Sequence, residues 1–238
     1  MKIFVAIPVY DGKLQAQTVK CLLSETTIAN GNGDDLRVNF MPSCSVPAHG
    51  RNQLVQHFMD SDCDKLFFLD SDITFPLGAI VKLAHQNADV VGGCYRLKEN
   101  PERYPIDWLE KEELWADKNG LLEVKMLPTG FLCISRNAFE MFKKQYPGRE
   151  YDHQGHEVFC YFQMIFQNGN IYSEDTYFCK EWKDMGGKIY LDPEIGLTHW
   201  DVNPTSFAGH IGNWLKNRNH QPKGQTNVIP QECLPQGL

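Results

Sequence analysis

The chain has 238 residues, enough for one large domain or two small ones, with a single domain the better expectation. Apolar residues make up 42% and charged residues 22%, ordinary globular proportions that exclude a fibrous or wholly disordered protein. Lys plus Arg number 23 against 30 Asp plus Glu, and the net charge of −7 has the wrong sign for a protein that coats duplex DNA through its phosphates.

Eight scattered cysteines (Cys21, Cys44, Cys63, Cys94, Cys133, Cys160, Cys179 and Cys233) include no C-x-x-C pair, so no zinc knuckle or thioredoxin-type motif is expected. They read as reduced, small and mostly buried residues. The apolar run Ile3 to Tyr10 is short, carries Pro8 and lacks a small-residue cleavage site, so it reads as a first strand and not as a secretory signal. No stretch approaches the roughly 18 apolar residues that span a bilayer. A soluble, cytoplasmic protein is expected.

Along the chain, Lys2 to Val9 is continuously apolar, as in a strand covered on both faces. Leu14, Val19, Leu22 and Leu23 follow at helical spacing, and Asn30-Gly31-Asn32-Gly33 is turn material. Leu36 to Met41 alternates like a strand, and Ala48 to Met59 returns to helical spacing. Lys65 to Leu69 is a compact buried strand. Pro76 suits the first turn of a helix presenting Leu77, Ile80, Val81 and Ala84, and Asp89 to Gly93 is another strand. This β-α-β-α-β-α-β succession predicts an α/β fold with a mostly parallel sheet flanked by helices. Tyr95 to Gly120 is charged and aromatic without a period, a long excursion from the sheet. Strand patterning resumes at Leu121 to Met126 and Gly130 to Ser135, with a helix from Asn137 to Lys144. Ser173 can cap a helix through Met185 that stops at Gly186-Gly187, and Lys188 to Leu191 reads as a final strand. Beyond about Lys216 the composition predicts a loosely packed tail.

The strongest local signal is Phe67-Phe68-Leu69-Asp70-Ser71-Asp72-Ile73-Thr74. A buried strand runs into two carboxylates at i and i+2, which in extended geometry point to one side at the strand's C-terminal edge. Ligands of open α/β sheets bind at that edge. Two acids there repel unless a cation lies between them, which points to a hard divalent ion. A pair of helix-capping acids is the alternative, although a cap needs only one. Two chemistries use such a strand end. One is the D-x-D of nucleotide-sugar glycosyltransferases; the other is the D-x-D-x-T of haloacid-dehalogenase-like phosphatases, whose first Asp is a covalent nucleophile. The phosphatase motif normally lies on the first strand, whereas here two β-α units precede it.

In order along residues 3 to 201 come IPVYDG, PAHGRNQLV, FFLDSDITFP, VVGGCYRLK, LPTGFLCISRNAF, SEDTYFC and LTHW. On these pieces the chain resembles GT-A-fold glycosyltransferases related to family 2 and to phage-encoded glycosyltransferase-like proteins. The resemblance implies a single Rossmann-like domain over 1–215, with a nucleotide-binding half at 1–95, an acceptor-side half at 96–215 and a tail at 216–238. It implies that Pro8, Val9 and Tyr10 line the base pocket, and that Arg51 and Asn52 correspond to the family's A-R-N element at the diphosphate. Asp70 and Ser71 would contact the donor, while Asp70 and Asp72, with His199, would hold Mn²⁺ or Mg²⁺. Thr129 and Gly130 would line the sugar and acceptor side, where a small residue allows close approach. Of the pair Glu174 and Asp175, Asp175 is the expected general base if the reaction inverts. First-turn acids also serve as plain helix capping, and a lone histidine is more often structural than a ligand. His210 is a weaker competitor of His199, and His153 and His156 are expected in a loop facing the acceptor.

The expected activity is therefore metal-dependent transfer of a sugar from a nucleotide-diphosphate donor, UDP-linked by preference, to an acceptor hydroxyl, with inversion favoured over retention. The acceptor, whether a glycan, a protein or a modified nucleic-acid base, is left open, as is the oligomeric state. The family's acidic residue at the end of the second strand is replaced by Phe40-Met41-Pro42-Ser43, which leaves the nucleotide open too. The rival readings are a phosphohydrolase using Asp70 and a nucleotide-sugar-binding module without turnover. A DNA-modifying role would rest on Lys216, Arg218 and Lys223, a small basic cluster that is weak support against an overall charge of −7. If the chain is phage-encoded, the host cytoplasm is its expected compartment.

Overall fold

The computed structural model describes residues 1–42, 45–110, 114–201 and 205–218. The sequence expectations for Ser43, Cys44, Lys223, Cys233 and the tail past Arg218 lie outside the described residues. The strands are β1 Lys2–Val9, β2 Asp35–Pro42, β3 Lys65–Leu69, β4 Ile73–Thr74, β5 Val90–Gly92, β6 Leu122–Val124, β7 Phe131–Ser135, β8 Glu150–His153, β9 His156–Phe159, β10 Ile165–Gln167, β11 Asn170–Tyr172, β12 Ile189–Leu191, β13 Leu197–Trp200 and β14 Ser206–Gly209. The helices are α1 Ala16–Gly31, α2 Pro47–Met59, α3 Ala79–Ala84, α4 Arg136–Gln145, α5 Glu174–Asp184 and α6 Ile211–Arg218.

Seven strands form the central sheet in the order β2-β1-β3-β7-β5-β12-β6. Five of them run one way, with β7 and β6 reversed, so the sheet is mostly parallel as expected. Because β7 lies between β3 and β5, the C-terminal ends of β3 and β5 and the N-terminal end of β7 meet at one edge. Strand alternation divides the apolar residues between two faces. Phe4, Ala6, Leu66, Phe68, Leu132 and Ile134 pack with α2, α4 and α5, while Ile3, Val5, Ile7, Phe67, Leu69 and Phe131 pack with α1 and α3. Helices on both faces explain why β1 reads as an unbroken apolar run. On the first face, Phe142, Phe162, Phe178 and Trp182 stack into one aromatic column.

Several local expectations change. Leu77 precedes α3 and is exposed, because Gly78 caps the helix at φ +81° and the helix starts at Ala79, three residues after Pro76. Leu23 is exposed and Leu14 lies before α1, so only part of the apolar stripe faces the core. The strand at Lys188 to Leu191 is not the last: β13, β14 and α6 follow, and β13 pairs with β14 and β4 in a separate small sheet. The hairpins β8–β9 and β10–β11 were not predicted; their strands are three or four residues long, and the buried residues of β9, Val158 and Phe159, are adjacent and not alternating, so no apolar period shows.

Among the described residues six cysteines are free: Cys63, Cys94, Cys133 and Cys179 are buried, and Cys21 and Cys160 half-buried. Burial pushes the thiols of Cys133 and Cys179 up to about 12. Among the described residues no helix is long and apolar enough to cross a membrane.

Candidate active site

Asp70-Ser71-Asp72 joins the end of β3 to the short β4. The backbone N–H of Asp70 donates to the Gly130 carbonyl at 3.0 Å, which ties the turn to the start of β7. A side chain at Gly130 has no room: a Cβ there would strike the Asp70 carboxylate and meet the Tyr95 ring at 2.7 Å. The sequence placed Gly130 beside the ligand; the structure gives it a close-approach role against Asp70 itself.

Arg51 lies in the second turn of α2, with its side chain only 6% exposed. Its Nη2 donates to Asp70 Oδ1 at 3.0 Å, its Nε lies 3.6 Å from Glu174 Oε1, and its guanidinium sits over the Phe68 ring. Burial works against the positive charge, but Asp70 and then Glu174 outweigh it and raise the guanidinium above its ordinary value. Arg51 Nε and Nη1 are buried without a hydrogen-bond partner among the described residues. Buried donors are normally satisfied, so such hydrogens mark a place for an acceptor. Asn52, by contrast, has its amide engaged within the fold. Its Nδ2 donates to the Phe162 carbonyl, and its Oδ1 accepts from the N–H groups of Tyr161 and Phe162.

Asp72 meets a second set of groups. Pairing of His199 with Ile73 across β13 and β4, with the Trp200 N–H donating to the Asp72 carbonyl, brings two distant segments together. His199 Nε2 lies 3.4 Å from Asp72 Oδ2, and Nδ1 lies 3.1 Å from the Arg96 carbonyl. The ring thus has one nitrogen at a backbone carbonyl and the other at Asp72, the arrangement in which a carbonyl orients a ligating histidine. Lys98 Nζ donates to the same Asp72 Oδ2 at 2.7 Å. Burial pushes the Asp72 carboxyl up, but His199 and Lys98 more than offset it and hold it below the usual carboxylate range.

The loop after β5 closes this edge. Tyr95 packs edge-on against His199 with ring centroids 4.8 Å apart. Burial, followed by the charges of Asp70 and Asp175, pushes its phenol well above the ordinary value. Sequence reasoning missed Tyr95, Arg96 and Lys98 as site residues, although they lie in the piece VVGGCYRLK. The available signal was position: they follow the C-terminal end of a strand parallel to β3.

Glu174 and Asp175 open α5. Asp175 Oδ1 accepts from the Thr176 N–H at 2.7 Å and from the Ser173 hydroxyl, while Oδ2 takes part in neither bond. Thr129 is buried beside Gly130. Pro8 and Val9 end β1 opposite Met41 and Pro42, and Tyr10 is 73% exposed. His153 and His156, expected in a loop, instead pair with each other at the end of β8 and the start of β9, and His210 Nδ1 accepts from the Asn213 N–H at the start of α6. Among the described residues no group of three or more His, Cys, Asp or Glu is arranged to hold a metal ion. The donor set at Asp72 and His199 is a carboxylate oxygen and an imidazole nitrogen at the spacing of two neighbouring ligands. The chemistry of this pair suits a divalent ion whose other ligand positions are filled from outside the described residues.

No protein-family profile matches the chain, and no curated protein sequence does. The fold is shared with the crystal structure of A197 from STIV, which is 19% identical, with 87% of this chain and 93% of that one covered at a TM-score of 0.53. Looser overlaps include a glycosyltransferase involved in glycosylation of the major capsid of PBCV-1 (12% identity, 60% and 64% covered, TM-score 0.34). Another is S. aureus TarS in complex with UDP-GlcNAc (15% identity, 80% and 56% covered, TM-score 0.42). At those scores neither bears on the chemistry. The class defined is an α/β protein with a large, mostly parallel sheet flanked by helices, with charged side chains gathered where β3 and β5 end.

Proposed function

We propose that the protein is a glycosyltransferase that moves a sugar from a nucleotide-diphosphate donor, UDP-linked by preference, to an acceptor hydroxyl with inversion. The observation that carries this reading is the meeting of Asp72 and His199 beside the buried Arg51–Asp70 pair at the sheet edge where α/β folds bind ligands. Arg51 Nη1 has a hydrogen to give to a phosphate oxygen, and Asp70 and Ser71 contact the donor. Pro8, Val9 and Tyr10 border the base. Asp72 and His199 would hold Mn²⁺ or Mg²⁺, which when bound supplies positive charge to the departing diphosphate. Asp175, its Oδ1 fixed by Ser173 and Thr176, takes the acceptor proton on Oδ2. The acceptor oxygen then bonds to the anomeric carbon while the carbon–oxygen bond to the diphosphate breaks and its electron pair leaves with the phosphate. Glu174 holds Arg51 in place. The phosphohydrolase alternative asks Asp70 to act as a nucleophile, a poor fit for a carboxylate paired to Arg51 and packed on Gly130.

The test is a thermal-shift panel of nucleotides and nucleotide sugars, with and without Mn²⁺, on the wild type and Asp72→Asn. A ligand at 100 times its dissociation constant adds about 2.7 kcal/mol, roughly 5–10 °C for a domain of this size. The expected result is a shift that needs Mn²⁺ and one nucleotide diphosphate together and vanishes in Asp72→Asn. No shift with any nucleotide overturns the reading.

A further inference from the structure

Resting on that reading, we infer that Lys98 is a built-in counter-ion that competes with a divalent cation for Asp72 and, once displaced, contacts the donor's phosphates. Lys98 Nζ and His199 Nε2 converge on one atom, Asp72 Oδ2, at 2.7 and 3.4 Å. An ammonium that close to the oxygen repels any second cation seeking it. The pair is sheltered, with the two side chains 28% and 30% exposed, so solvent screens it less than a surface ion pair.

The loop places Lys98 deliberately. The Leu97 N–H donates to the Arg103 carbonyl at 2.9 Å. Arg96 donates to the Glu99 carbonyl and the Asn100 side chain, and its guanidinium lies over the Phe207 ring. The backbone is thus braced on both sides of Lys98, while its four-carbon stem can swing without moving the loop. A lysine released from Asp72 stays at the same sheet edge as Arg51, where a diphosphate is the complementary ligand. The arrangement keeps Asp72 neutralised in the empty protein and makes cation binding depend on the phosphates that accept the ammonium.

Binding of Mn²⁺ alone to the full chain, followed by electron paramagnetic resonance, tests the first half. Lys98→Met is expected to bind Mn²⁺ about tenfold or more tightly than the wild type. Lys98→Arg is expected to stay near the wild type, and Asp72→Asn to remove binding in either background. Melting temperatures report that the variants fold. Titration of UDP at saturating Mn²⁺ tests the second half: Lys98→Met is expected to weaken UDP about fivefold or more while Lys98→Arg retains it. Unchanged or weaker Mn²⁺ binding in Lys98→Met, or unchanged UDP binding, overturns the proposal. If UDP binds neither the wild type nor Lys98→Arg, with or without Mn²⁺, the donor reading itself fails, which is a separate result.

Discussion

Gly130 and Arg51 show how single residues set the site. Gly130 brings the start of β7 so close to Asp70 that any side chain there must displace the carboxylate or the Tyr95 ring. Gly130→Ala is therefore expected to retain the far-ultraviolet circular dichroism of the wild type but to weaken UDP binding about tenfold or more, measured by thermal shift. Retained UDP affinity would show that Asp70 has freedom to move. Arg51 carries a different constraint, since one buried guanidinium faces both Asp70 and Glu174. Its planar fork suits two carboxylates at once, a task that lysine performs poorly.

At the scale of elements, the site depends on helices being fixed to the sheet by polar groups outside their own sequence. Glu25 on α1 is fully buried, and its two carboxylate oxygens accept from the Gly78 and Val81 N–H groups at 2.7 and 2.9 Å. It caps α3 from a neighbouring helix and supplies negative charge where the helix dipole favours it. Glu25→Ala leaves the buried Val81 N–H and the half-buried Gly78 N–H unpaired and is expected to cost about 2–3 kcal/mol, roughly 4–12 °C in melting temperature, measured by calorimetry. Arg136 at the start of α4 works the same way, donating to the carbonyls of Phe58, Met59, Ser61 and Cys63 at the end of α2. Neither contact follows from helical periodicity. Both partners are polar residues that sequence reading assigns to solvent.

The whole molecule adds a pH response through the junction of α2 with the β8–β9 hairpin. His49 packs edge-on against His153 and its Nδ1 lies 3.0 Å from the Tyr151 hydroxyl, with Gln53 hydrogen-bonded to Nε2. Burial, then the charge of His153, holds His49 below its ordinary value of 6.5. The unfolded chain thus takes up the proton more readily than the folded one. Stability contributed here is complete above pH 6.5 and declines as pH falls from there toward the lower folded value. Thermal melts between pH 7.5 and 5.5 are expected to show this decline, and His49→Gln to flatten it; an equal slope in the variant would place its origin elsewhere.

Legibility followed burial and chain distance. Phe67 to Leu69, buried on both faces, announced a central strand, and the apolar runs of β1 and β5 did likewise because parallel sheets bury both sides. The residues Asp70 and Asp72 were conspicuous for the same reason: charge directly after a buried strand is costly without a partner. From local pattern and composition, then, the sequence determined the α/β class, the sheet's core strands and the edge at which charged groups gather. The tertiary structure decided the partners. Lys98 and His199 meet at one oxygen of Asp72 only because β5 and β13 deliver segments from 26 and 127 residues away to the same edge. Asn52 points into the backbone of Tyr161 and Phe162 for the same kind of reason. Electrostatic pairing falls off with distance in space and is indifferent to separation along the chain, so no local pattern encodes it.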